Sequence, residues 1–371
     1  MKSGTEFAHR SSETFDQNVA EALADETLRG ALNNATGLFR ERRKNALGAV
    51  PDWEAMREYA RLTKEEALAN LDYYLEEFVT NAERRGVHVH WARDAKEACG
   101  IVAELAERLG AKTIVKSKSM TTEEIHLNHV LEERGLEPVE TDLGEWIIQL
   151  AGETPSHIIV PAIHKTKTQI SELFANVLSM EPTDDERELT AAARKILRQS
   201  FAEAELGISG ANFAVAETGS FLLLENEGNI RMTTSLPRVH LAVLGIEKIL
   251  PRFSDLEVFL RLLPRSGTGQ RLTTYQSIFT GLSADGDEGP EEMHILLLDN
   301  GRSKMLRESV TRQSLGCIRC GACLNACPVY QQIGGHAYGS VYPGPMGAVP
   351  PHPGRSRNRR CPARAAPAPS H

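Results

Sequence analysis

Apolar residues recur at helical intervals through the first part of the chain. Phe15, Val19, Leu23 and Leu28 mark one segment, Thr14 to Ala35. Met56, Tyr59, Leu62, Leu68, Leu71, Leu75 and Phe78 mark a second, Trp53 to Gly86. A period near 3.6 residues predicts amphipathic helices that bury one stripe. Asp52, after Pro51, is placed to cap the second. Residues 1–86 therefore read as a helical region that docks on a larger body and does no chemistry. The basic run Arg40, Arg42, Arg43 and Lys44 reads as a solvated face rather than an anion site.

From residue 87 the pattern changes to short apolar runs alternating with amphipathic stretches. Strands are predicted at Val87–Trp91, Thr113–Lys116, Val139–Thr141, His157–Pro161, Asn212–Ala216, Ser220–Glu225, His240–Leu244 and His294–Leu298. Helices are predicted at Asp94–Leu109, Thr121–Arg134, Glu145–Leu150, Thr168–Leu178 and Phe253–Leu262, with a long polar one from Asp184 to about Gly207. Thr121 and Glu124 have capping-box spacing. Asn226 to Asn229 reads as a turn, and Ser283 to Pro290 as a surface loop. This alternation predicts an α/β domain over residues 87–305, with a mostly parallel sheet and helices on both faces. Cys99 borders the apolar face of its helix and reads as a small buried hydrophobe.

With 371 residues, the chain has room for one large α/β domain and a small module. Hydrophobic residues make up 41% and charged ones 25%, as in an ordinary globular protein. A net charge of −8 speaks against nucleic acid as the main partner. No apolar run approaches the roughly 20 residues of a membrane span. The opening residues, Met1 to Phe15, lack the apolar core of a secretory signal. The expectation is a cytoplasmic protein that reaches a membrane only through partners.

The strongest signal is Cys317-Ile-Arg-Cys320-Gly-Ala-Cys323-Leu-Asn-Ala-Cys327-Pro328, spaced C-x2-C-x2-C-x3-C-P. That is the bacterial ferredoxin run for a [4Fe–4S] cluster, whose irons match soft thiolate ligands. Gly321 lets the loop turn. Structural zinc is the rival, but it favours cysteine pairs separated by a longer loop. In two-cluster ferredoxins the first three cysteines hold one cluster and the fourth ligates the other. Residues 306–349 thus read as an iron–sulfur module. Residues 350–371 are rich in Pro, Arg and Ala without acids, and such a segment cannot bury a core.

Other candidate chemistry is weaker. Lys116-Ser117-Lys118-Ser119 follows a strand and precedes a helix, where open α/β sheets take ligands; the readings are a carboxylate or phosphate site and a plain surface loop. Glu217, beside Thr218-Gly219-Ser220, reads as a nucleophile or base, or as part of a structural turn. His126 and His129 share a helix face but lack a third ligand. His157 and His164 flank a predicted strand, and His164 with Lys165 and Lys167 is a candidate anion pocket. No G-x-G-x-x-G follows a strand, so there is no dinucleotide fingerprint.

Several stretches carry a resemblance: Thr113-Ile-Val-Lys-Ser-Lys-Ser-Met-Thr-Thr-Glu-Glu-Ile, Ala216-Glu-Thr-Gly-Ser-Phe, Ser235-Leu-Pro-Arg-Val-His, Arg319-Cys-Gly-Ala-Cys-Leu-Asn-Ala-Cys-Pro-Val-Tyr, Gly334-Gly-His-Ala-Tyr-Gly and Tyr342-Pro-Gly-Pro-Met-Gly. From about residue 10 to 349 the chain resembles the lactate utilisation protein B family, the iron–sulfur subunit of bacterial L-lactate oxidation. The resemblance implies a domain similar to the ribose-phosphate-isomerase and CoA-transferase-like fold, joined to a ferredoxin module with two [4Fe–4S] clusters. It implies electron transfer while L-lactate becomes pyruvate, with two partners: a cysteine-rich subunit similar to heterodisulfide reductase and a second α/β-domain protein. Cys317, Cys320 and Cys323 would ligate the first cluster and Cys327 the second. The family continues into a second cysteine run where this sequence turns to Pro350-Pro-His-Pro-Gly-Arg. The expectation is a frameshifted or truncated end, with Cys361-Pro362 as a substitute ligand. The competing function is a small-molecule enzyme or binding site in the α/β domain, with the cluster structural or sensing.

Overall fold

A computed structural model describes residues 14–282 and 289–344. Most of the Ser283–Pro290 loop, residues 345–349 of the module, the tail 350–371 and Cys361-Pro362 lie outside the described residues.

Among the described residues there are ten strands: β1 (Val87–Ala92), β2 (Thr113–Lys116), β3 (Glu137–Glu140), β4 (Leu206–Ser209), β5 (Phe213–Val215), β6 (Ser220–Glu225), β7 (Val239–Gly245), β8 (Ile249–Leu250), β9 (Tyr275–Phe279) and β10 (Glu292–Leu298). Six form one sheet in the order β1-β10-β7-β4-β2-β3, and every pairing in it is parallel. The expected α/β class with a parallel sheet and flanking helices is therefore the observed one. Parallel strands covered on both faces carry unbroken apolar runs, and all of Val239–Gly245 is buried.

Side chains along β7 alternate between two cores, as the strand period of two requires. Leu241 and Val243 face the helices Ala95–Leu109 and Leu127–Glu133, among Val102, Leu127 and Leu131. Ala242 and Leu244 face the helix Leu71–Glu83 and meet Leu75 and Phe78. A second sheet, β8-β5-β6-β9, packs on that side. Its other face meets Trp53, Met56 and Phe259.

The residues after Ser314 form a third, smaller body. Leu324, Tyr330 and Tyr342 pack with Leu32 of the helix Glu26–Gly48 and with Ile158 and Ile163. Leu32 and Tyr330 are fully buried; burying a leucine side chain stabilises by roughly 1.5–3 kcal/mol. The first helices therefore clasp the cysteine module as well as the sheet. Among the described residues, no helix is long and apolar enough to cross a membrane.

Several predicted elements differ. His157–Pro161 is not a strand: the chain folds back so that the amides of Ile159 and Val160 donate to His157 Nδ1 at 3.1 and 3.3 Å, and Ser156 N–H bonds the Pro161 carbonyl. Thr121–Arg134 is two helices, broken where His126 adopts φ +53°. The cap is Ser119, whose Oγ accepts from Thr122 N–H, not a Thr121/Glu124 box. The first two segments break at Asp25 and Asn70. Asp25 caps the next helix through Leu28 N–H at 2.9 Å, a side-chain bond that competes with helix continuation. The polar helix ends at Glu203, and the pattern missed β4 because four buried residues show no period.

Candidate functional site

The sequence around the cysteines dictates two left-handed turns. Arg319 has φ +61° and Gly321 φ +71°, and the short helix Ala322–Ala326 follows. A Cβ on Gly321 would stand 2.9 Å from Ile159 Cδ1 and 3.3 Å from the His157 ring. Glycine is thus required there by conformation and by space.

These turns aim main-chain N–H groups at sulfur. Arg319 N–H donates to Cys317 Sγ at 3.4 Å and Tyr330 N–H to Cys327 Sγ at 3.5 Å. Amides of Ala322 and Leu324 hydrogen-bond the sulfurs of Cys320 and Cys323. Burial pushes the Cys323 thiol up to about 11, and neighbouring Cys317 and Cys320 add to the shift. Burial thus favours the thiol form of Cys320 and Cys323, and a bound cation would favour their thiolates. Cys327 instead lies against the Tyr338 hydroxyl, whose ionisation is suppressed by burial and by that sulfur.

Among the described residues, groups of three ligand atoms within 4.8 Å of one another occur elsewhere, not among these cysteines. Tetrahedral zinc, with bonds near 2.3 Å, would hold its sulfurs about 3.8 Å apart. The C-x2-C-x2-C-x3-C-P run, the N–H donors at sulfur and the soft donor set fit an iron–sulfur cube better than mononuclear zinc.

Positive charge collects beside Cys317. Lys64, buried, donates to the Glu247 carbonyl and to the Ile249 carbonyl at 3.4 Å. Burial lowers both Lys64 and Lys248 to about 8. Arg43 acts electrostatically on Cys320, and the backbone at Arg42 and Arg43 packs under Gly269. The basic run is therefore not a purely solvated face, because its helix lies along the module.

The loop is seated on the carboxyl edge of the sheet, where open α/β proteins place ligands. Arg302, just after β10, bonds both oxygens of Glu124 at 2.9 Å and reaches Glu247, after β7, at 2.5 Å. Arg319 lies 3.4 Å from the other Glu247 oxygen. Tyr342 donates to Glu124 at 2.9 Å and carries the Arg319 guanidinium over its ring. Burial would raise the Glu247 carboxyl, but Arg302 and Arg319 hold it down at about 2. Two buried carboxylates are thus balanced by two guanidiniums, one from the sheet and one from the cysteine loop.

The predicted loop 116–119 forms the floor beneath this module. Lys116 is fully buried, with its ammonium 2.7 Å from Glu140 and 3.2 Å from Glu123. Ser117 is buried beside it, Lys118 donates to the Ile159 carbonyl at 2.5 Å, and Ser119 caps its helix. This is not a loop of solvated lysines.

Glu217 accepts from Phe253 N–H at 2.7 Å in a turn against the helix Leu71–Glu83. His126 forms the break between two helices, and exposed His129 pairs with Glu133 at 3.3 Å. His157 meets Asn325 of the module at 3.2 Å. His164 and Lys165 converge on Glu153, whereas Lys167 lies 3.8 Å from Glu186. Cys99 is buried, and its thiol is pushed up to about 11. Sequence reasoning missed Glu124, Glu247, Arg302 and Tyr342 as parts of the site, and no local motif marks them.

Comparison with known proteins agrees with this two-part architecture. Residues 75–298 match the LUD domain and residues 313–362 a 4Fe-4S dicluster domain, the latter running through Cys361-Pro362. Lactate utilization protein B of Bacillus cytotoxicus is 46% identical over 91% of this chain and 72% of its own. The same protein of Bacillus velezensis is 47% identical over 90% and 71%, and that of Bacillus subtilis strain 168 is 45% identical over 94% and 72%. A solved DUF162 family protein from Deinococcus radiodurans aligns with 62% of this chain and 98% of its own, at 14% identity and a TM-score of 0.33, too weak a likeness to carry any of the assignment. With a LUD domain carrying an iron–sulfur module whose cofactor is a [4Fe–4S] cluster, the chain belongs to the lactate utilization protein B family.

Proposed function

We propose that this chain serves lactate utilisation as an electron carrier while L-lactate is oxidised to pyruvate. The oxidation releases two electrons and two protons, and a bound [4Fe–4S] cluster supplies one-electron capacity. Cys317, Cys320 and Cys323 hold the first cluster, and Cys327, facing Tyr338, contributes to a second. The observation that carries this reading is the seating of the cysteine loop on the carboxyl edge of the sheet through Arg302, Glu247 and Arg319.

The chain's own residues set the properties of that site. Amide donors at sulfur and the cations Lys64, Lys248 and Arg319 favour added negative charge and so ease reduction. Ile159 and Gly267 pack against the loop and limit water on that side. The partners in this reading are a cysteine-rich subunit similar to heterodisulfide reductase and a second α/β-domain protein, and the setting is cytoplasmic.

The test is anaerobic reconstitution with both partners, followed by electron paramagnetic resonance after L-lactate addition. A reduced-cluster signal that appears with lactate and disappears in Cys317→Ser is expected. A protein that dithionite reduces but lactate with both partners does not would overturn the proposal.

A further inference from the structure

We propose that Glu153, His164 and His336 form a second metal site, for one divalent ion of the zinc or ferrous class, at the seam between the LUD domain and the cysteine module. The proposed electron transfer from lactate does not require it.

The geometry comes first. Each of the three residues offers a ligand atom, and these atoms all lie within 4.8 Å of one another. His164 Nε2 is 2.7 Å from a Glu153 oxygen. The imidazoles of His164 and His336 meet edge to face, with centroids 4.5 Å apart. Two imidazoles and one carboxylate are a donor set that zinc and ferrous iron share, with positions left for water or another ligand.

The surroundings are those of a ligating site. Metal-binding histidines and carboxylates are held by outer hydrogen bonds that fix their orientation. Lys165 Nζ takes the other Glu153 oxygen at 2.6 Å. His336 Nε2 donates to the Thr154 carbonyl at 2.6 Å, a bond that fixes the orientation of the ring. The His164 side chain is only 10% exposed, yet its Nδ1 has no partner. Burial would raise the Glu153 carboxyl, but His164 and Lys165 bring it down to about 2, so it is ionised at neutral pH.

The three side chains open on a cavity of about 840 Å³ whose wall also carries Glu21, Asp25 and Lys165. Glu153 takes up Lys165 and Lys167 lies at Glu186, so His164, Lys165 and Lys167 do not assemble the expected anion pocket. The other carboxylate cluster, Glu123, Glu140 and Glu145, already encloses the Lys116 ammonium, so its cation is built in. The Glu153 site also bridges two bodies. Residues 153 and 164 belong to the LUD-side loop, whereas His336 follows the module helices, beside Gly335, whose amide donates to Ser156 Oγ at 3.1 Å. A bound ion would cross-link them.

The experiment uses the full chain with its iron in place, treated with a chelator and titrated with zinc by calorimetry, then measured by zinc X-ray absorption. One equivalent with nitrogen and oxygen ligands at about 2.0–2.1 Å is expected. Glu153→Gln and His336→Gln should each weaken binding at least tenfold, with iron content unchanged. No stoichiometric zinc, a shell dominated by sulfur near 2.3 Å, or unaltered affinity in iron-retaining variants would overturn the site. The wild-type absorption spectrum decides the point even where a variant loses its iron.

Discussion

Arg302 and Glu247 stand 55 residues apart in the chain and meet at 2.5 Å, at the carboxyl ends of two neighbouring strands. Both are buried. Through Glu247 the pair reaches Arg319 in the cysteine loop, and through Glu124 it reaches Tyr342.

Arg302→Met should therefore unseat the module as well as destabilise the domain. It leaves Glu124 and most of Glu247 as buried charges without their strongest partner. Breaking a buried pair on one side costs about 3–5 kcal/mol. Urea unfolding of the iron-loaded protein should show that loss, and iron per chain should fall. Adding Glu124→Gln should restore part of the stability. An unchanged unfolding midpoint would show that the network does not hold the module.

The cysteines should separate into two spectroscopic classes. Cys317, Cys320 and Cys323 sense one another's charge, whereas Cys327 neighbours Tyr338. Cys317→Ser should remove one reduced-cluster signal that Cys327→Ser leaves in place. Loss of the same single signal in both, with about four irons falling to none, would mean that all four ligate one cluster.

Gly335 makes a close approach that no side chain can share. A Cβ there would collide with the Ser156 carbonyl, whereas one on Gly316 meets nothing within 4 Å. Overpacking of this kind costs typically about 1–3 kcal/mol. Gly335→Ala should speed proteolysis within residues 314–344 and leave the circular dichroism of the sheet domain intact. Gly316→Ala is the control, and equal behaviour of the two would refute the packing account.

Acid should destabilise the LUD domain through buried histidines. Burial lowers His240 from 6.5 to about 3 and His294 to about 4. His240 Nε2 lies 2.8 Å from Ser209 Oγ, and its ring lies beside the stacked rings of Phe221 and Phe279. Because the folded state favours the neutral ring, the unfolded state binds more protons below pH 6.5. The stabilisation is complete above that pH and is lost progressively as pH falls towards 3. Thermal melts from pH 7.5 to 4.5 should show the midpoint falling, and His240→Gln should flatten the slope. An identical slope in that variant would remove His240 from the account.

Much of this protein is written locally. The apolar run Val239–Gly245 reads as a covered strand, the stripe of Ala98, Val102, Leu105 and Leu109 reads as a helix face, and the cysteine spacing names its own chemistry. Each depends on residues within one or two turns of each other. The misread places share a cause. His157–Pro161 has strand-like composition, but His157 Nδ1 captures the next two free amides. The helix after residue 120 breaks at His126 although its residues favour continuation. In both, a particular bond or turn outweighs average propensity.

The sequence by itself determined the α/β class, the iron–sulfur module and the family. It could not determine what holds the module to the sheet. Glu124 and Arg302 are 178 residues apart, and the Thr154 carbonyl and His336 are 182 apart. Nothing in either neighbourhood announces its partner. Such pairs exist only once the parallel order of the strands brings their carboxyl ends together, because buried charge is tolerated where an opposite charge meets it and nowhere else. That convergence is a property of the tertiary fold, and it made Lys116 a buried counter-ion and His164 a member of a candidate metal site.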